Sequence, residues 1–569
     1  MTNQTVRNKA TMKPLLRSLS QATIALAALP AGHALAQAAP GAGQLIQQVP
    51  QPQAPATQVP ALTVQQPPAA QSASSAPFMV RTIEITGNTV FPTSVLKPLV
   101  SEGEGKTITL GQLDALANRI TQYYRSRGYP LTRAIIPAQT LSNGTVRLQV
   151  LETRYGQVKL DNTSKVNTAT LGSVLGPLQA NQLLTQDSLD RALLLLSDYG
   201  GVAVSATLSP GQAVGTTDLN IKATPTNTVV GNVFADTYGS KYTGRARLGA
   251  NVDINNLAGR GDTVSLTGMT SMSGLDYARA AYQMPVGSQG TKVGAAISGL
   301  RYQLGDSLKA VGAHGNATVA SLWATQPVIR SIDRNLYVRA GYDHKEFQDV
   351  IDTTGLNNER YTDTLSVEAS GDLRDPLFGG AVSTGSIGAT AGHLKFRNAA
   401  AAASDASTAR TVGNFTKVTG NLARTQTVTN SSTLYLGLAG QWSHDNLDPS
   451  EQIVLGGPNS VRGYGVGTIS GATGYIGTAE FRQRLPAFQA AGTLQATAFV
   501  DTGWVKVYAD PFNTNANRAR LNGAGVGLNW AAKEGWNARV DLAKPFGNTP
   551  ALLGTRDNFW AWVQVGKSF

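Results

Sequence analysis

The chain has 569 residues, with 60 glycines, no cysteine, and charged side chains held to 14%. The missing thiols exclude a disulfide-stapled secreted domain and a lipid-anchored N-terminal cysteine. No apolar run of about 18 residues is available to cross a bilayer as a helix. The net charge of +12 comes from scattered Lys and Arg, with no basic run interleaved with aromatics, so nucleic acid is not expected as a partner. A mean hydropathy of -0.12 is still compatible with a membrane protein whose strands alternate apolar and polar residues.

The N-terminus reads as an export signal. Arg7, Lys9, Lys13 and Arg17 precede the apolar stretch ATIALAALPAG, and Ala34, Leu35 and Ala36 fit a small-residue cleavage site, giving a signal peptide over 1–36. Residues 37–77 are rich in Gln, Pro and Ala and read as an extended tether. The tether opens with GAGQLIQQ, a short helix candidate with Leu45 and Ile46 on one side.

Two α+β units follow, over 78–153 and 154–225. In the first, MVRTIEITGNTVF alternates, placing Val80 and Thr82 opposite Arg81, Ile83 and Ile85, and ends at a Gly-Asn turn. A helix then carries Leu113, Leu116, Ala117, Ile120 and Tyr124 on one face and stops at Gly128 and Pro130. LTRAIIP and GTVRLQVLET supply two more strands. The second unit repeats this order, with its longer helix in TQDSLDRALLLLSDYGG and last strands in VAVSATLSPG and TTDLNIKATPT.

Beyond about residue 225 helical periodicity disappears. Segments of about ten residues alternate instead, the length of a tilted membrane strand. In STLYLGLAGQW, Leu434, Leu436, Leu438 and Trp442 oppose Tyr435, Gly437 and Gln441. In WNARVDLAKPF, Trp536, Ala538, Val540 and Leu542 oppose Asn537, Arg539 and Asp541. At roughly 20–22 residues per strand and connection, residues 226–569 give about 16 antiparallel strands. The last segment puts Phe559, Ala561, Val563, Val565 and the terminal Phe569 on one face, a C-terminal assembly signal for an outer-membrane barrel.

One connection breaks the rhythm. Residues from about 445 to 473 are too many for a hairpin turn, and loops of that length are usually functional. Alternation turns Glu480 and Asp501 inward from neighbouring strands, so a loop folded into the barrel would bring Arg462 to two carboxylates that its planar fork matches. In a wet lumen such a pair is screened and fixes the position of the loop more than it stabilises the barrel.

VRGY at 461–464, GTAEFR at 477–482 and FVDTG at 499–503 resemble the loop and strand motifs of the Omp85 superfamily. VRTIEITGNTVF, ITQYYRSRGYPLTRAIIPAQTLSNGTVRLQVLE and LSPGQAVGTTDLNI resemble the paired POTRA domains of its TpsB two-partner secretion transporters, exporters related to those of haemolysin and filamentous haemagglutinin. The resemblance implies an all-β transmembrane barrel behind two α+β POTRA domains, placed in the Gram-negative outer membrane with the POTRA domains in the periplasm. It also implies type V secretion of an unfolded exoprotein recognised by those domains and passed through the pore. It makes Val461, Arg462, Gly463 and Tyr464 the loop motif and Phe499, Asp501 and Gly503 the strand motif, with Asp501 as partner of Arg462. It further implies a plug helix ahead of the tether, for which only the segment around GAGQLIQQ is available. The expected partners are a TpsA-like exoprotein, outer-membrane lipid and, during biogenesis, the barrel-assembly machinery and periplasmic chaperones.

An Omp85-type insertase is the alternative, although insertases usually carry more POTRA repeats and lack the Pro-rich tether. A diffusion porin would not need periplasmic domains. No enzyme is expected: histidines 33, 314, 344, 393 and 444 are scattered without an HExxH motif, so neither a catalytic residue nor a metal or other cofactor is assigned.

Overall fold

The computed structural model describes residues 40–49, 60–65, 76–140, 143–486 and 492–569, so the expected signal peptide lies outside the described residues. In the first α+β domain Thr82–Thr86 runs parallel to Thr145–Leu151, which pairs antiparallel with Arg133–Ile135. Phe78–Val80 pairs separately with Lys106–Ile108. The main helix, Leu110–Ser126, starts at a capping box in which Thr109 and Gln112 satisfy each other's backbone N–H. It buries Leu113, Leu116, Ala117, Ile120 and Tyr124, the stripe that the periodicity predicts. Val80 departs from the alternation: it is buried together with Ile83 and Ile85. The strand is interrupted at Arg81, whose N–H goes to the Gly144 carbonyl, and the break resets which face points inward.

Glu152 ties this domain together. Its carboxylate accepts from the N–H of Thr89 at 2.7 Å, the N–H of Val90 at 2.8 Å and the Tyr124 hydroxyl at 2.8 Å, and also from the Thr89 hydroxyl. Burial works to raise the carboxyl, but the bonds from Thr89, Val90 and Tyr124 overcome it and hold the group below its usual range.

The second domain repeats the plan. Arg154–Asn162 lies parallel to Thr216–Pro225, and Val202–Pro210 runs antiparallel beside it, with the helix Gln186–Ser197 packed on the sheet. The outer edge of Val202–Pro210 is occupied. Ala61–Val64, which reads as plain tether, adds there as a parallel strand with Leu62 opposite Ala206. Its apolar and β-branched residues, Ala-Leu-Thr-Val, suit a strand better than their Pro-rich neighbours do.

The remaining chain forms a closed barrel of 16 antiparallel strands from Val229–Asp236 to Trp560–Ser568. Leu436, Leu438 and Trp442 are exposed on its outer face, while Gln441 is buried inside. The central strands outgrow the ten-residue expectation, reaching 20 residues in Leu356–Asp375, which carries those hairpins past the bilayer. At the seam between the last and first strands, Phe569 and Gly231 exchange both backbone bonds, at 2.9 and 3.0 Å. The second domain is fastened to the rim of the barrel: Asp198 takes a two-pronged bond from Arg330 at 2.7 and 2.9 Å, and Arg191 reaches the carbonyls of Pro327 and Val328, both at 3.2 Å. That junction marks the end of the barrel on which the α+β domains sit.

Replacing Glu152 by Gln in the full chain removes a charged acceptor from four donors and should destabilise the first domain by about 2 kcal/mol, read as earlier tryptic cleavage of that domain in urea. Because the folded carboxyl is depressed, its contribution is complete above the ordinary value of 4.5 and is lost as pH falls below it. The wild type should therefore approach the variant's stability in acid.

Candidate functional site, an ion-paired loop in the lumen

Alternation along Thr473–Leu485 and Thr493–Lys506, the twelfth and thirteenth barrel strands, turns Glu480 and Asp501 to the inner wall in adjacent strands. The connection before them folds back inside. Its short hairpin, Ile453–Leu455 with Ile469–Gly471, brackets the tip that carries Val461, Arg462, Gly463 and Tyr464. Val461 and Tyr464 are buried with Leu455, Ile469, Val505 and Leu521, an apolar contact between loop and wall.

Arg462 is held from every side. Its Nε and Nη2 donate to the two oxygens of Asp501 at 2.8 and 2.9 Å, and its backbone N–H adds a third bond to that carboxylate at 3.1 Å. Nη1 reaches Glu480 at 2.5 Å and lies 3.9 Å from Asp541 on the fifteenth strand. The guanidinium carbon lies 3.2 Å from the centre of the Phe499 ring, and the Arg462 carbonyl accepts from Trp562 Nε1 at 2.8 Å. Arg482 and Arg539 complete the set, bonding Glu480 at 2.8 Å and Asp541 at 2.7 Å, so three cations face three carboxylates.

The sequence reading places this pair in water, and the structure corrects that. Arg462 is 2% exposed and Asp501 is fully buried, so screening does not weaken the contact. The glycines allow the close approach. A Cβ at Gly463 would lie 3.0 Å from the backbone N of Pro545, and one at Gly523 on the wall would lie 2.9 Å from the Gly463 nitrogen. Gly503 makes room in the same way for Leu455 and Val461. Phe569 lies away from this cluster, exposed at the seam.

A second anchor holds the base of the loop, and the sequence reading missed it. Glu451 is gripped by Lys345 at 2.6 Å and Lys417 at 2.8 Å. Arg360 bonds Asp448 in the loop at 2.6 Å and Asp349 on the wall at 2.7 Å. Asp349 also accepts from Tyr302 at 2.6 Å and from the N–H of Ala42 at 2.8 Å. Ala42 opens the helix Ala42–Ile46, which lies inside the barrel with Leu45 buried against Leu300, Tyr302 and Phe347. Gln44 and Gln47 bond the loop at Ser470 and Pro449. Helix, wall and loop thus share one chain of carboxylates and a guanidinium. Alternation gave the inward face of Asp541, but nothing local in the sequence pairs it, Trp562, Arg360 or Asp448 with segments tens to hundreds of residues away.

A model of the family described as haemolysin secretion/activation protein ShlB/FhaC/HecB matches residues 215–530, and a ShlB-type POTRA domain matches residues 78–153. The chain belongs to this family. Its similar relatives include the heme/hemopexin transporter protein HuxB of Haemophilus influenzae strain 86-028NP, 27% identical over 482 residues and 84% of each chain. The outer membrane transporter CdiB of Escherichia coli is 26% identical over 479 residues, covering 82% of this chain and 79% of its own. The solved structure of CdiB from Escherichia coli superposes with a TM-score of 0.69 at 22% identity, over 89% of this chain and 93% of that one, a likeness of fold. As a member of the family the protein is an outer-membrane translocator of two-partner secretion, with POTRA domains in the periplasm and a secreted exoprotein as partner.

Arg462→Ala would strand a buried Asp501 carboxylate, a loss of about 3–5 kcal/mol for breaking one side of a buried pair. The loop should leave the wall, measured as maleimide labelling of a cysteine placed at Ser460. The exchanged pair R462D/D501R should stay defective, because Glu480 and Asp541 would face the introduced carboxylate. Arg360→Ala should raise labelling of a cysteine at Gln44 about tenfold, the loss of a charge-assisted bond, with Arg360→Lys in between.

Proposed function

We propose that the described arrangement is the closed form of a pore for a β-rich exoprotein, with the helix Ala42–Ile46 as plug and the VRGY loop as a second occupant of the lumen. The observation that carries this reading is the burial of Arg462 among Asp501, Glu480 and Asp541, a contact that only a loop folded into the barrel makes. The carboxylates are positioning groups, not catalysts, since each is committed to a cation.

Recognition would start at a sheet edge. Ala61–Val64 shows what Val202–Pro210 accepts, an extended parallel segment joined through its backbone. The occupant is only four residues long and all four are exposed, so a longer segment of the exoprotein would displace it. The passenger then threads the barrel and folds outside, where burial of its apolar surface draws the chain forward. Before any of this the transporter itself is exported by its N-terminal signal. It is carried by periplasmic chaperones to the barrel-assembly machinery, which reads the strand ending in Phe569, and it is seated with its apolar outer face in lipid.

Deleting the gene should remove one large β-rich protein from the culture medium and leave the profile of outer-membrane proteins unchanged. A depleted outer-membrane profile with an intact medium would instead favour an insertase. With Arg462→Ala, export should fall while the barrel still migrates as a folded species on unheated gels.

A further inference from the structure

The loop tip lies along the twelfth to sixteenth strands, through Glu480, Asp501, Gly523, Asp541 and Trp562. The wall directly opposite holds an arrangement that neither loop nor helix uses. Trp323, on the sixth strand (Ala313–Arg330), has Arg279 of the fourth strand (Leu275–Val286) 5.9 Å from its ring and Arg339 of the seventh (Arg334–Ile351) 4.9 Å from it. All three face the lumen. Arg279 shares a cross-strand row with Ser298, Val319 and Lys345, and Lys345 reaches into the lumen to the loop residue Glu451. Trp323 and Arg339 lie an even number of residues from Val319 and Lys345, on the same face.

The ring has a prepared place. It lies against the fifth strand where Gly294 has no side chain, since a Cβ there would come within 2.3 Å of the indole, and Trp323 Nε1 donates to Gln283 at 3.2 Å. The guanidiniums, by contrast, are uncommitted. Among the described residues no carboxylate lies within 4.0 Å of either. Asp343, on the same wall, takes a bond from Ser321 at 2.6 Å, and Glu368 stands across from Arg339 in register without pairing to it. Every other arginine of the barrel named above has an anion or a carbonyl. Arg279 and Trp323 are half-buried and Arg339 is exposed. Arg339 is ten residues along its strand from Asp349, where the helix Ala42–Ile46 is tethered, so with the strand tilted the stack lies about 25 Å closer to the periplasmic end.

We propose that this wall is the contact track for the polypeptide in transit, and that the Arg279–Trp323–Arg339 stack takes acidic and aromatic side chains of an extended passenger segment. Two forks that make no ion pair of their own attract carboxylates across the lumen, and a flat indole offers its face to passing rings. Contacts of this strength are made and released quickly, as a sliding chain needs. The inference rests on the secretion reading above.

The test uses the full-length transporter in planar lipid bilayers. An unstructured peptide of Asp-Gly-Phe-Ser repeats, or its twin with Lys for Asp, is added on the POTRA side, and the dwell time of its blocks is recorded during channel openings, when helix and loop have left the lumen. The acidic peptide should dwell longer than its twin, and rising salt should shorten its blocks. R279Q/R339Q should shorten them about fivefold, as expected for two solvent-screened pairs. R279K/R339K should retain most of the effect, Trp323→Ala should shorten the blocks of both peptides through the lost ring face, and the Lys twin should not respond to R279Q/R339Q. Acidic and basic peptides that dwell equally long on the wild type would overturn the proposal without recourse to any variant. So would an acidic dwell time unchanged by R279Q/R339Q in a barrel of normal gel mobility. Failure of the secretion reading would be seen separately, as an unchanged medium in the deletion strain. A deletion that abolishes export, combined with peptides indifferent to the stack, would sink the track alone.

Discussion

A guanidinium without water needs all of its charge balanced close at hand, and the interior of this barrel is organised around that need. Asp501 supplies a matched fork, Glu480 caps the remaining nitrogen, and the Phe499 ring closes one face at 3.2 Å. The three acids around Arg462 would repel one another if they were alone. Arg482 and Arg539 prevent this by neutralising Glu480 and Asp541 from the side. The cluster is therefore a neutral unit whose members depend on one another, which is why removal of one costs more than its own bonds.

Closure of the wall and placement of the loop are different kinds of stability. The wall is secured by continuous backbone pairing through sixteen strands, including the seam at Phe569 and Gly231. The loop and helix are held by side chains at two separated points, the Arg462 cluster and the Asp349–Arg360–Asp448 chain. Their interaction with the barrel can be given up without breaking a strand, whereas the barrel cannot open laterally without losing backbone bonds. The helix also shares Asp349 with Arg360, so its departure leaves that carboxylate one donor short and alters the environment of the loop base.

Much of this was legible in the chain itself, for a simple reason. A strand has a period of two, so the inner faces at Glu480 and Asp501 followed from alternation once the strands were recognised, and the number of strands followed from length. The helix stripe of Leu113 to Tyr124 was equally readable. What local pattern cannot give is who meets whom. Asp541 was visible as an inward residue, but its approach to Arg462 depends on the path of a loop eighty residues earlier in the chain. Arg360 and Asp448 belong to the same class. Val80 failed for another reason, since a break of a single residue at Arg81 resets the alternation. The short strand Ala61–Val64 hid within a proline-rich segment whose composition spoke for an unstructured tether. Dryness around Arg462 was also illegible, because it depends on apolar cover from Leu455, Val461 and Val505 that only the folded loop brings together.

Breaking the Arg462 cluster is much harder dry than wet. In the dry arrangement every carboxylate has lost its water and relies on a neighbouring cation, so withdrawal of the loop requires either that all members find new partners or that water enters first. The apolar cover that excludes water is contributed by the loop itself, through Leu455, Val461, Tyr464 and Ile469. Movement of the loop and hydration of the acids are therefore one event and not two. Once the loop has lifted, Glu480 and Asp541 would keep Arg482 and Arg539 as partners, and Asp501 would stand as the one carboxylate in excess on the wall across the lumen from Arg279 and Arg339. A polypeptide entering that space meets charges of both signs, and the closed form conceals Asp501 while leaving Arg279 and Arg339 without an ion-pair partner among the described residues.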